Sequence, residues 1–369
     1  MTDTGTVDLR TRRVLFLIPS LQGGGAERVI VTLLKHLDRK RFQPAIGVVD
    51  MSKAVFRDEI RSDVEFIDLG ATRVRYALPK IVALIWKRRP DVVFSTLGHL
   101  NLALAMVRPL LPNDVRYIAR ETIVVSSVLE EYRWRVIWTL LYRWFYSHID
   151  LLVCQSRDMQ VDLVERFGYP SAQSVVINNP VDIERIYQLA LEPLNQREFR
   201  SGSIKLVAAG RLNWQKGFDL LIEAIAILAD PRIHLVLLGE GILLDELKQL
   251  AIARGVADQV EFVGFQTNPY AWFARMDAFV LSSRYEGFPN VVVEALVCGT
   301  PVISTPAPGG TREILDGIPE CEVAKEVSAQ SLADAIAKWM RGDRKRIDPA
   351  AVAPYTLDRI VAQYQQVLG

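Results

Sequence analysis

Apolar and polar residues form two recurring patterns along the chain: short β-branched runs, and longer segments with apolar residues at helical spacing. In the first half, strands are predicted at 14–19, 44–49, 64–69, 91–95, 115–119, 150–154 and 174–178, and helices around 26–37, 79–89, 129–147 and 156–167. Near-continuous apolar strands separated by helices are typical of a parallel sheet that is covered on both faces. The first half therefore predicts a doubly wound α/β domain.

The same pattern starts again in the second half. Strands are predicted at 204–210, 233–239, 259–264, 277–283 and 300–305, and helices at 217–229, 242–254, 289–298 and 328–341. The polar, turn-rich stretch 191–203 marks the boundary. We predict an N-terminal Rossmann-like domain over 1–190, a C-terminal one over 191–354, and a last helix over 355–369 that crosses back to the N-terminal domain. Ligands bind outside the carboxyl ends of such strands, so two facing domains would enclose a cleft there.

The composition narrows the class of protein. The chain has 369 residues, 50% of them hydrophobic, which is enough for two cores, and its net charge of +1 gives no bias towards nucleic acid. Three cysteines, far apart and in no metal-binding spacing, predict a reduced, cytosolic protein without a structural metal. The polar first residues predict no signal peptide, and no stretch reaches the roughly 18 consecutive apolar residues of a spanning helix.

A loop with two cations follows the first strand of the second half, in GRLNWQKGFDLLIEAI (210–225). Arg211 and Lys216 lie in this loop, and Gly217 precedes an apolar-periodic helix. A guanidinium fork and an ammonium group beside a helix N-terminus suit a diphosphate, although the glycine spacing is not that of a P-loop. The alternative is a pair of solvated loop cations.

Two glutamates flank a helix start in RYEGFPNVVVEALVCGTPVIST (284–305). The pattern predicts a helix with Pro289 at its first position, Glu286 in the loop before it and Glu294 inside it. Carboxylates accept hydrogen bonds from vicinal hydroxyls, so we expect one glutamate on a ribose, the other on a sugar, and a diphosphate between them at the helix end. Alternatively, Glu294 is a surface residue, but its apolar neighbours indicate a buried helix in which a carboxylate needs a partner.

Further candidates follow strands of the first half. Gly23–Gly25 would let a ligand approach the backbone, or would form a flexible turn. His99, and the pair Arg120 and Glu121, come directly after predicted strands at the same edge of the sheet. A single histidine is more often structural than catalytic, so the residues alone leave these roles open.

The segment 130–148 combines arginines and a histidine with aromatic residues, and 73–90 is similar in kind. Lys or Arg with Trp or Tyr on an amphipathic helix suits an anionic membrane surface; the alternative is a core helix with arginines on its wet face. We expect membrane contact from 130–148 and leave 73–90 open. The sequence contains no Asp-x-Asp pair, Cys/His metal cluster or Gly-x-Ser-x-Gly elbow.

Together, the Arg211/Lys216 loop, the pair Glu286 and Glu294 and the glycine-rich first loop resemble family four of the retaining nucleotide-sugar glycosyltransferases. The nearest type is that of the bacterial enzymes of lipid-linked or surface polysaccharide assembly. The resemblance covers nearly the whole chain and is densest at 205–315. It implies the GT-B fold, an α/β fold of two facing Rossmann-like, doubly wound domains with a cleft between them.

The resemblance also implies roles for single residues. Arg211 and Lys216 correspond to the donor-diphosphate pair, Glu294 to the ribose ligand, and Glu286 to the residue near the donor sugar. The backbone cradle around the helix start is Gly287, Phe288, Pro289, Asn290 and Val291, and the other donor contacts are Gly24, Gly25, His99 and Gly264. Glu286, His99, Arg211 and Lys216 are the expected catalytic residues, and the family needs no metal or other cofactor.

The expected reaction moves a hexose or N-acetylhexosamine from a nucleotide sugar to a hydroxyl of a lipid-linked saccharide, such as a polyprenyl-diphosphate-linked one, with retention. A UDP-sugar is the first choice of donor. The two glutamates have different expected roles, so we do not assign a double displacement. The enzyme would lie on the cytoplasmic face of the cell membrane through 130–148. A GDP-mannose-dependent mannosyltransferase, a nucleotide-sugar epimerase and a non-catalytic nucleotide-sugar-binding subunit are the alternatives.

Overall fold

The computed structural model describes residues 11–194, 202–343 and 345–369. The strands are β1 (Arg12–Ser20), β2 (Phe42–Asp50), β3 (Glu65–Asp68), β4 (Val92–Thr96), β5 (Arg116–Arg120), β6 (Leu151–Cys154), β7 (Ser174–Val176), β8 (Ile204–Ala209), β9 (Ile233–Leu238), β10 (Val260–Gly264), β11 (Ala278–Leu281), β12 (Val302–Ser304) and β13 (Glu322–Val323). The helices are α1 (Gly25–His36), α2 (Val74–Arg88), α3 (Gly98–Val107), α4 (Val125–Glu130), α5 (Arg135–Phe145), α6 (Arg157–Phe167), α7 (Ile183–Ala190), α8 (Phe218–Leu228), α9 (Leu244–Ala253), α10 (Tyr270–Phe273), α11 (Asn290–Val297), α12 (Thr311–Leu315), α13 (Ala329–Arg341) and α14 (Leu357–Leu368).

The first sheet is parallel and has the strand order β3-β2-β1-β4-β5-β6-β7. Its central strand β4 is buried along its whole length, because helices cover both faces. The strand order reverses between β1 and β4, and ligands of doubly wound sheets bind outside the carboxyl ends of the strands at such a switch point. The glycine loop at 23–25 and the start of α3 follow these two strands.

The second sheet is also parallel, with the order β10-β9-β8-β11-β12-β13. Here the order reverses between β8 and β11. The loop after β8 carries Arg211 and Lys216, and the loop after β11 carries Glu286. Two parallel-sheet, Rossmann-like units confirm the predicted fold class.

Each sheet has a continuous apolar core. In the first unit, Leu15 and Val93 of the sheet pack in one cluster with Ile81 of α2 and Leu104 of α3. In the second, helices α8 and α13 cover one face of the sheet and α11 lies on the other. Full burial of one such aliphatic side chain stabilises a fold by about 1.5–3 kcal/mol, so the cores hold the loops at the strand ends in place.

The two units are divided differently from the predicted domains. The first comprises the chain up to Pro180 together with Asp358–Gly369, and the second is Val181–Leu357. The predicted boundary at 190/191 is therefore displaced, because α7 packs on α10 and α11 through its buried residue Ile186 and so belongs to the second unit. The C-terminal helix α14 belongs to the first unit.

Some elements differ from the pattern-based prediction. The helix predicted at 129–147 is two helices, α4 and α5, separated by a turn at 131–134. Four helices were not predicted, at 98–107, 183–190, 270–273 and 311–315, nor was the two-residue edge strand β13. Short edge strands depend on their neighbour for pairing, and β13 is defined by its register with β12.

The described helices are all too short or too polar to cross a bilayer.

Candidate functional site

The centre of the candidate site in the second unit is an ion pair between Lys216 and Glu286. The Lys216 ammonium group donates to Glu286 Oε1 at 2.7 Å, and the hydroxyl of Ser283 donates to the same oxygen at 2.5 Å. The side chains of Lys216 and Glu286 are only 20% and 7% exposed. A buried carboxylate is stable as an anion when a cation and a hydrogen-bond donor compensate its lost hydration. The sequence-predicted residues Lys216 and Glu286 are thus brought together.

The loop that carries Lys216 is shaped by Asn213 within it and by Ser282, which directly follows β11. Asn213 caps a short 3-10 turn by accepting from the Lys216 backbone N–H at 3.2 Å. Gly217 has a φ of 61°, and a Cβ on it would collide with the carbonyl oxygen of Ser282. The Ser282 hydroxyl donates to the Lys216 carbonyl oxygen at 2.8 Å. The loop therefore needs glycine at 217 to lie against the end of β11.

Arg211 is placed differently from Lys216. It is exposed just after β8, and its guanidinium makes no hydrogen bond or ion pair with any other residue that the structure describes. The neighbouring Arg284 is instead fixed by two short bonds to the Asp219 carboxylate, at 2.9 and 2.6 Å, and lies over the Trp214 ring. Arg284 and Asp219 were not predicted, because their pairing joins positions 65 residues apart.

The helix at the second glutamate begins one residue later than predicted. Pro289 is the N-cap of α11, not its first helical residue, and no side chain caps this helix end. The chain before it is tightly supported: Glu286 N–H donates to the Pro308 carbonyl oxygen, and Gly310 N–H to that of Gly287, both at 2.8 Å. No side chain caps the start of α11, although the Val292 N–H donates to the Pro289 carbonyl oxygen at 2.9 Å, and a helix N-terminus favours an anion.

Other predicted residues lie around this helix start. Phe288 is buried and packs on the Tyr355 ring at 5.4 Å, while Asn290, Val291 and Glu294 are half-buried. Glu294 lies in the second turn of α11, among the buried side chains of Val293 and Ala295. The partial exposure of Glu294 agrees with a carboxylate at the rim of a binding surface rather than in the core.

Gly264 ends β10 at the same edge of the second sheet. Its φ is 80°, and its carbonyl oxygen accepts from Gly239 N–H at 2.8 Å. The positive φ favours glycine and turns the chain away from the sheet edge.

In the first unit, the glycine loop lies against an acidic residue that was not predicted. Glu27, in the first turn of α1, is buried and accepts from the Ser20 hydroxyl at 3.2 Å. A Cβ on Gly24 would collide with the Glu27 carboxylate, whereas Gly25 is exposed at the helix start. The only sequence signal for Glu27 was a carboxylate one turn beyond a glycine run.

His99, which was predicted to follow a strand, lies in the first turn of α3, a helix that was not predicted. The residue is exposed, yet desolvation by the surrounding protein lowers the pKa of its imidazole below the usual value. The turn before it is strained, since Leu97, a non-glycine residue, has a φ of 76°. Such outliers persist where the surrounding structure fixes them and are frequent at functional sites. His99 is thus a mainly neutral imidazole on a fixed turn.

Arg120 and Glu121, which follow β5, are both fully buried and point into the first unit. Arg120 donates to the Tyr364 hydroxyl at 3.0 Å, to Thr96 at 3.2 Å and to Asn179 at 2.6 Å. Burial raises the pKa of Glu121 to about 7, although hydrogen bonds from Asn101 and Tyr146 act against the shift. Arg120 and Glu121 are therefore internal groups and not ligand contacts.

Among the described residues, no three His, Cys, Asp or Glu side chains lie close enough together to hold a metal ion. The expected absence of a metal remains a prediction.

Known families match both halves of the chain. Residues 23–185 match Glycosyltransferase Family 4, and residues 193–353 match Glycosyl transferases group 1. The lipopolysaccharide core biosynthesis glycosyltransferase LpsE of Rhizobium meliloti is 33% identical over 94% of this chain and 96% of its own length. The chain belongs to the family-4 glycosyltransferases. The resemblance seen in its motifs is thereby confirmed.

Two further relatives of this glycosyltransferase are each 29% identical to it over the matched residues. One is the N-acetylgalactosamine-N,N'-diacetylbacillosaminyl-diphospho-undecaprenol 4-alpha-N-acetylgalactosaminyltransferase of Campylobacter jejuni, matched over 80% of this chain and 81% of the relative. The other is an uncharacterised glycosyltransferase of Methanocaldococcus jannaschii, matched over 67% of this chain but only 63% of the relative.

Solved structures agree on the fold of the glycosyltransferase. Anabaena HepE, in complex with UDP, superposes with a TM-score of 0.77 at 20% identity and covers 96% of this chain and 99% of its own. WaaG, a glycosyltransferase involved in lipopolysaccharide biosynthesis, gives a TM-score of 0.74 at 16% identity over 96% and 99%. The fold is GT-B, as predicted.

Proposed function

We propose that this glycosyltransferase moves a hexose or N-acetylhexosamine from a UDP-sugar to a hydroxyl of a lipid-linked saccharide, with retention, in bacterial surface polysaccharide or glycan assembly. The observation that carries the proposal is the buried Lys216–Glu286 pair, which lies beside an unpaired arginine and an uncapped helix start. This combination presents cationic and amide donors next to a fixed carboxylate at the switch point of the second sheet.

The donors suit a leaving nucleoside diphosphate. Glycosyl transfer places growing negative charge on the diphosphate as its bond to the sugar breaks. Arg211, Lys216 and the first amides of α11 would stabilise this charge, and they would do so without a metal. Arg211 has no competing partner among the described residues, so it is available to the diphosphate.

The two glutamates have different surroundings and so support different roles. Glu286 is held by Lys216 and Ser283, and it would accept hydrogen bonds from hydroxyls of the transferred sugar. Glu294, half-buried in the second turn of α11, would bind the ribose diol. In the first unit, Gly24, Gly25 and His99 are our proposed donor contacts, and in the second unit Gly264 is the residue proposed near the base.

Retention is proposed by a front-face route. A double displacement would need a carboxylate free to attack the anomeric carbon, and Glu286 is instead engaged by a lysine and a serine. The leaving phosphate would take the proton of the acceptor hydroxyl. The near-neutral His99 would contribute a hydrogen bond and not a second positive charge.

The acceptor is proposed to be lipid-linked, on two grounds. The Campylobacter jejuni relative is by its name a diphospho-undecaprenol glycosyltransferase. In addition, the segment 130–148 exposes a band of large apolar side chains, namely Tyr132, Trp134, Val136, Ile137, Leu140 and Trp144. Basic residues beside such a band suit an anionic lipid surface, and we propose that the enzyme works at the cytoplasmic face of the membrane.

A thermal-shift measurement tests the donor site. Wild type and Glu294→Ala are heated with UDP, GDP, ADP and the matching nucleotide sugars. A ligand at 100 times its dissociation constant adds about 2.7 kcal/mol of stability, so UDP should raise the melting temperature of the wild type by several degrees. Glu294→Ala should lose most of that shift, because the ribose loses its carboxylate.

The matched control is Glu246→Ala, which removes an exposed helical glutamate of the same unit. It should keep the full shift. A shift with GDP alone would mean that the donor is a GDP-sugar. Equal shifts with UDP in the wild type and in Glu294→Ala would overturn the proposed role of Glu294 as the ribose ligand.

A further inference from the structure

A buried polar cluster lies beneath the start of α3, and Glu121 is at its centre. Its Oε1 accepts from the side-chain amide of Asn101 at 2.8 Å and from the hydroxyl of Tyr146 in a short hydrogen bond. Asn101 is in the first turns of α3, two residues after His99, and also donates to the Arg120 carbonyl oxygen at 2.9 Å. Glu121 therefore joins α3 to the residues that follow α5.

The second carboxyl oxygen of Glu121 points at the turn that carries His99. Oε2 is buried and makes no hydrogen bond with any residue that the structure describes. A Cβ on Gly98 would stand 3.2 Å from this oxygen and 2.7 Å from the Tyr142 hydroxyl. A buried oxygen without a hydrogen-bond partner lowers the stability of the fold. Its position under Gly98 therefore indicates a role other than packing.

Helix α5 forms the other wall of the cluster. Tyr142 and Tyr146 are the buried residues at its end, and their rings are 4.6 Å apart. The hydroxyl of Tyr146 reaches Glu121, and that of Tyr142 lies under Gly98. The chain of contacts thus runs from α5 through Glu121 to the first turn of α3.

No cation among the described residues is hydrogen-bonded to Glu121, although the positive charge of Arg120 acts to lower the Glu121 pKa. The guanidinium of Arg120, the nearest cation on β5, is used by Tyr364, Thr96 and Asn179. The other titratable groups that face it are Tyr117 on β5, Tyr142 and Tyr146 at the end of α5, and Cys154 on β6, whose pKa values are all raised by burial, so they are neutral. The carboxyl group of Glu121 can thus be neutral or charged, and it meets Gly98 in either state.

We propose that Glu121 is a positioning residue for His99: the neutral carboxyl group holds the first turn of α3 on α5, and its ionisation loosens that turn. The proposal deepens the proposed function, because it rests on a role for His99 in transfer. Ionisation would place an unpaired charge on a buried oxygen, and water must then enter beside Gly98 to hydrate it. The imidazole one residue further along would move with the turn.

NMR of the histidine rings can detect this change at His99 directly. The chain has 4 histidines, so ¹³C labelling of histidine rings gives few signals, which single His→Gln variants assign. In the wild type without nucleotide, the His99 signal should show its own titration and a second inflection near pH 7, where Glu121 ionises. Glu121→Gln, which keeps the shape and the accepting oxygen, should remove the second inflection.

Two further variants sharpen the result. Tyr146→Phe removes a donor that favours the ionised carboxylate, so the second inflection should move to higher pH. Tyr169→Phe is the matched control, because it removes another buried tyrosine hydroxyl of the same unit, one that donates to Ile149 and Gln173. The His99 titration curve of Tyr169→Phe should match that of the wild type.

Amide hydrogen exchange tests whether ionisation of Glu121 loosens the first turn of α3 or affects His99 only because the two side chains are close. After correction for the intrinsic pH dependence, the amides of residues 98–102 should exchange at least tenfold faster at pH 8 than at pH 6 in the wild type, and equally at both in Glu121→Gln. A second inflection without this exchange difference would overturn the positioning role, and so would an inflection that persists in Glu121→Gln. Loss of the nucleotide shift in the thermal test would count against the donor site alone, because these readings use no nucleotide.

Discussion

Two buried glutamates show how a residue's surroundings decide its charge. Glu286 accepts from an ammonium group and a hydroxyl, which compensate its lost hydration. Glu121 is equally buried but accepts only from neutral donors, and burial raises its pKa to about 7. The same side chain thus forms an ion pair in one unit and has a raised pKa in the other.

The raised pKa of Glu121 predicts a pH-dependent stability. The folded-state pKa is about 7 against a model value of 4.5, so the unfolded chain loses this proton first as the pH rises. The free energy of unfolding should therefore fall between pH 4.5 and 7, by roughly 3 kcal/mol at about 1.4 kcal/mol per unit, and this contribution should level off above pH 7. Glu121→Gln should lack this decline.

Urea unfolding at pH 5 and pH 8, followed by tryptophan fluorescence, checks the prediction. Glu246→Gln makes the same chemical change at an exposed site and should follow the wild type. Parallel pH dependence in wild type and Glu121→Gln would show that Glu121 ionises normally in the folded protein.

At the scale of elements, α5 is a helix with two unlike faces. Tyr142 lies on its buried side. Trp134, directly before the helix, is exposed, and so are Val136 and Trp144 within it. Exposed apolar side chains in one band indicate a binding surface, and the adjacent Arg133 and Arg135 are exposed as well. This is the surface that we propose as the contact with lipid.

If 130–148 contacts lipid, removal of its positive charges should weaken membrane binding selectively. Near an anionic membrane, one arginine contributes about 1 kcal/mol, so Arg133→Gln with Arg135→Gln should weaken binding to vesicles by roughly ten- to thirtyfold. Sedimentation with phosphatidylcholine vesicles that contain phosphatidylglycerol measures the partitioning. The nucleotide-induced thermal shift should stay unchanged, because Arg133 and Arg135 lie in the first unit and the diphosphate residues in the second.

A double variant Lys248→Gln with Lys325→Gln removes two exposed charges from the second unit and serves as the control. Equal partitioning of both double variants and the wild type would disprove the membrane role of 130–148.

At the scale of the whole molecule, Arg120 ties together distant parts of the first unit. It bonds to Asn179, just before the chain leaves this unit, and to Tyr364 on the helix that returns to it. In the second unit, Val181 N–H donates to the Tyr355 carbonyl oxygen at 2.9 Å, which keeps the two connecting segments together. The helix α14 and the two connecting segments are therefore held in place by hydrogen bonds as well as by apolar contacts.

Removal of the Tyr364 hydroxyl should destabilise the protein. In Tyr364→Phe, Arg120 Nε loses its acceptor while it remains fully buried, which costs about 1–3 kcal/mol. The midpoint of urea unfolding should fall accordingly, whereas Tyr187→Phe, at an exposed position of α7, should leave it unchanged. An equal effect of the two substitutions would mean that α14 is held by apolar packing alone.

The sequence by itself determined the strands other than the short edge strand β13, the two-part α/β architecture and the edge of each sheet that carries the candidate site. It could do so because strands buried on both faces must be apolar throughout, and because the segments at the carboxyl ends of parallel strands carry the candidate residues: Arg211, Lys216 and Glu286 in loops, and His99 in the helix α3 that follows β4. These features depend on local pattern, which one sequence displays.

Only the tertiary structure decided which side chains meet. Lys216 pairs with Glu286 across 70 residues and Arg120 with Tyr364 across 244, and no local pattern encodes such distances. The placement of α7 in the second unit, the start of α3 at Gly98 and the buried position of Glu121 likewise follow from packing. The physical reason is that hydrogen bonds and burial act between neighbours in space, and these neighbours exist only once the sheets have assembled.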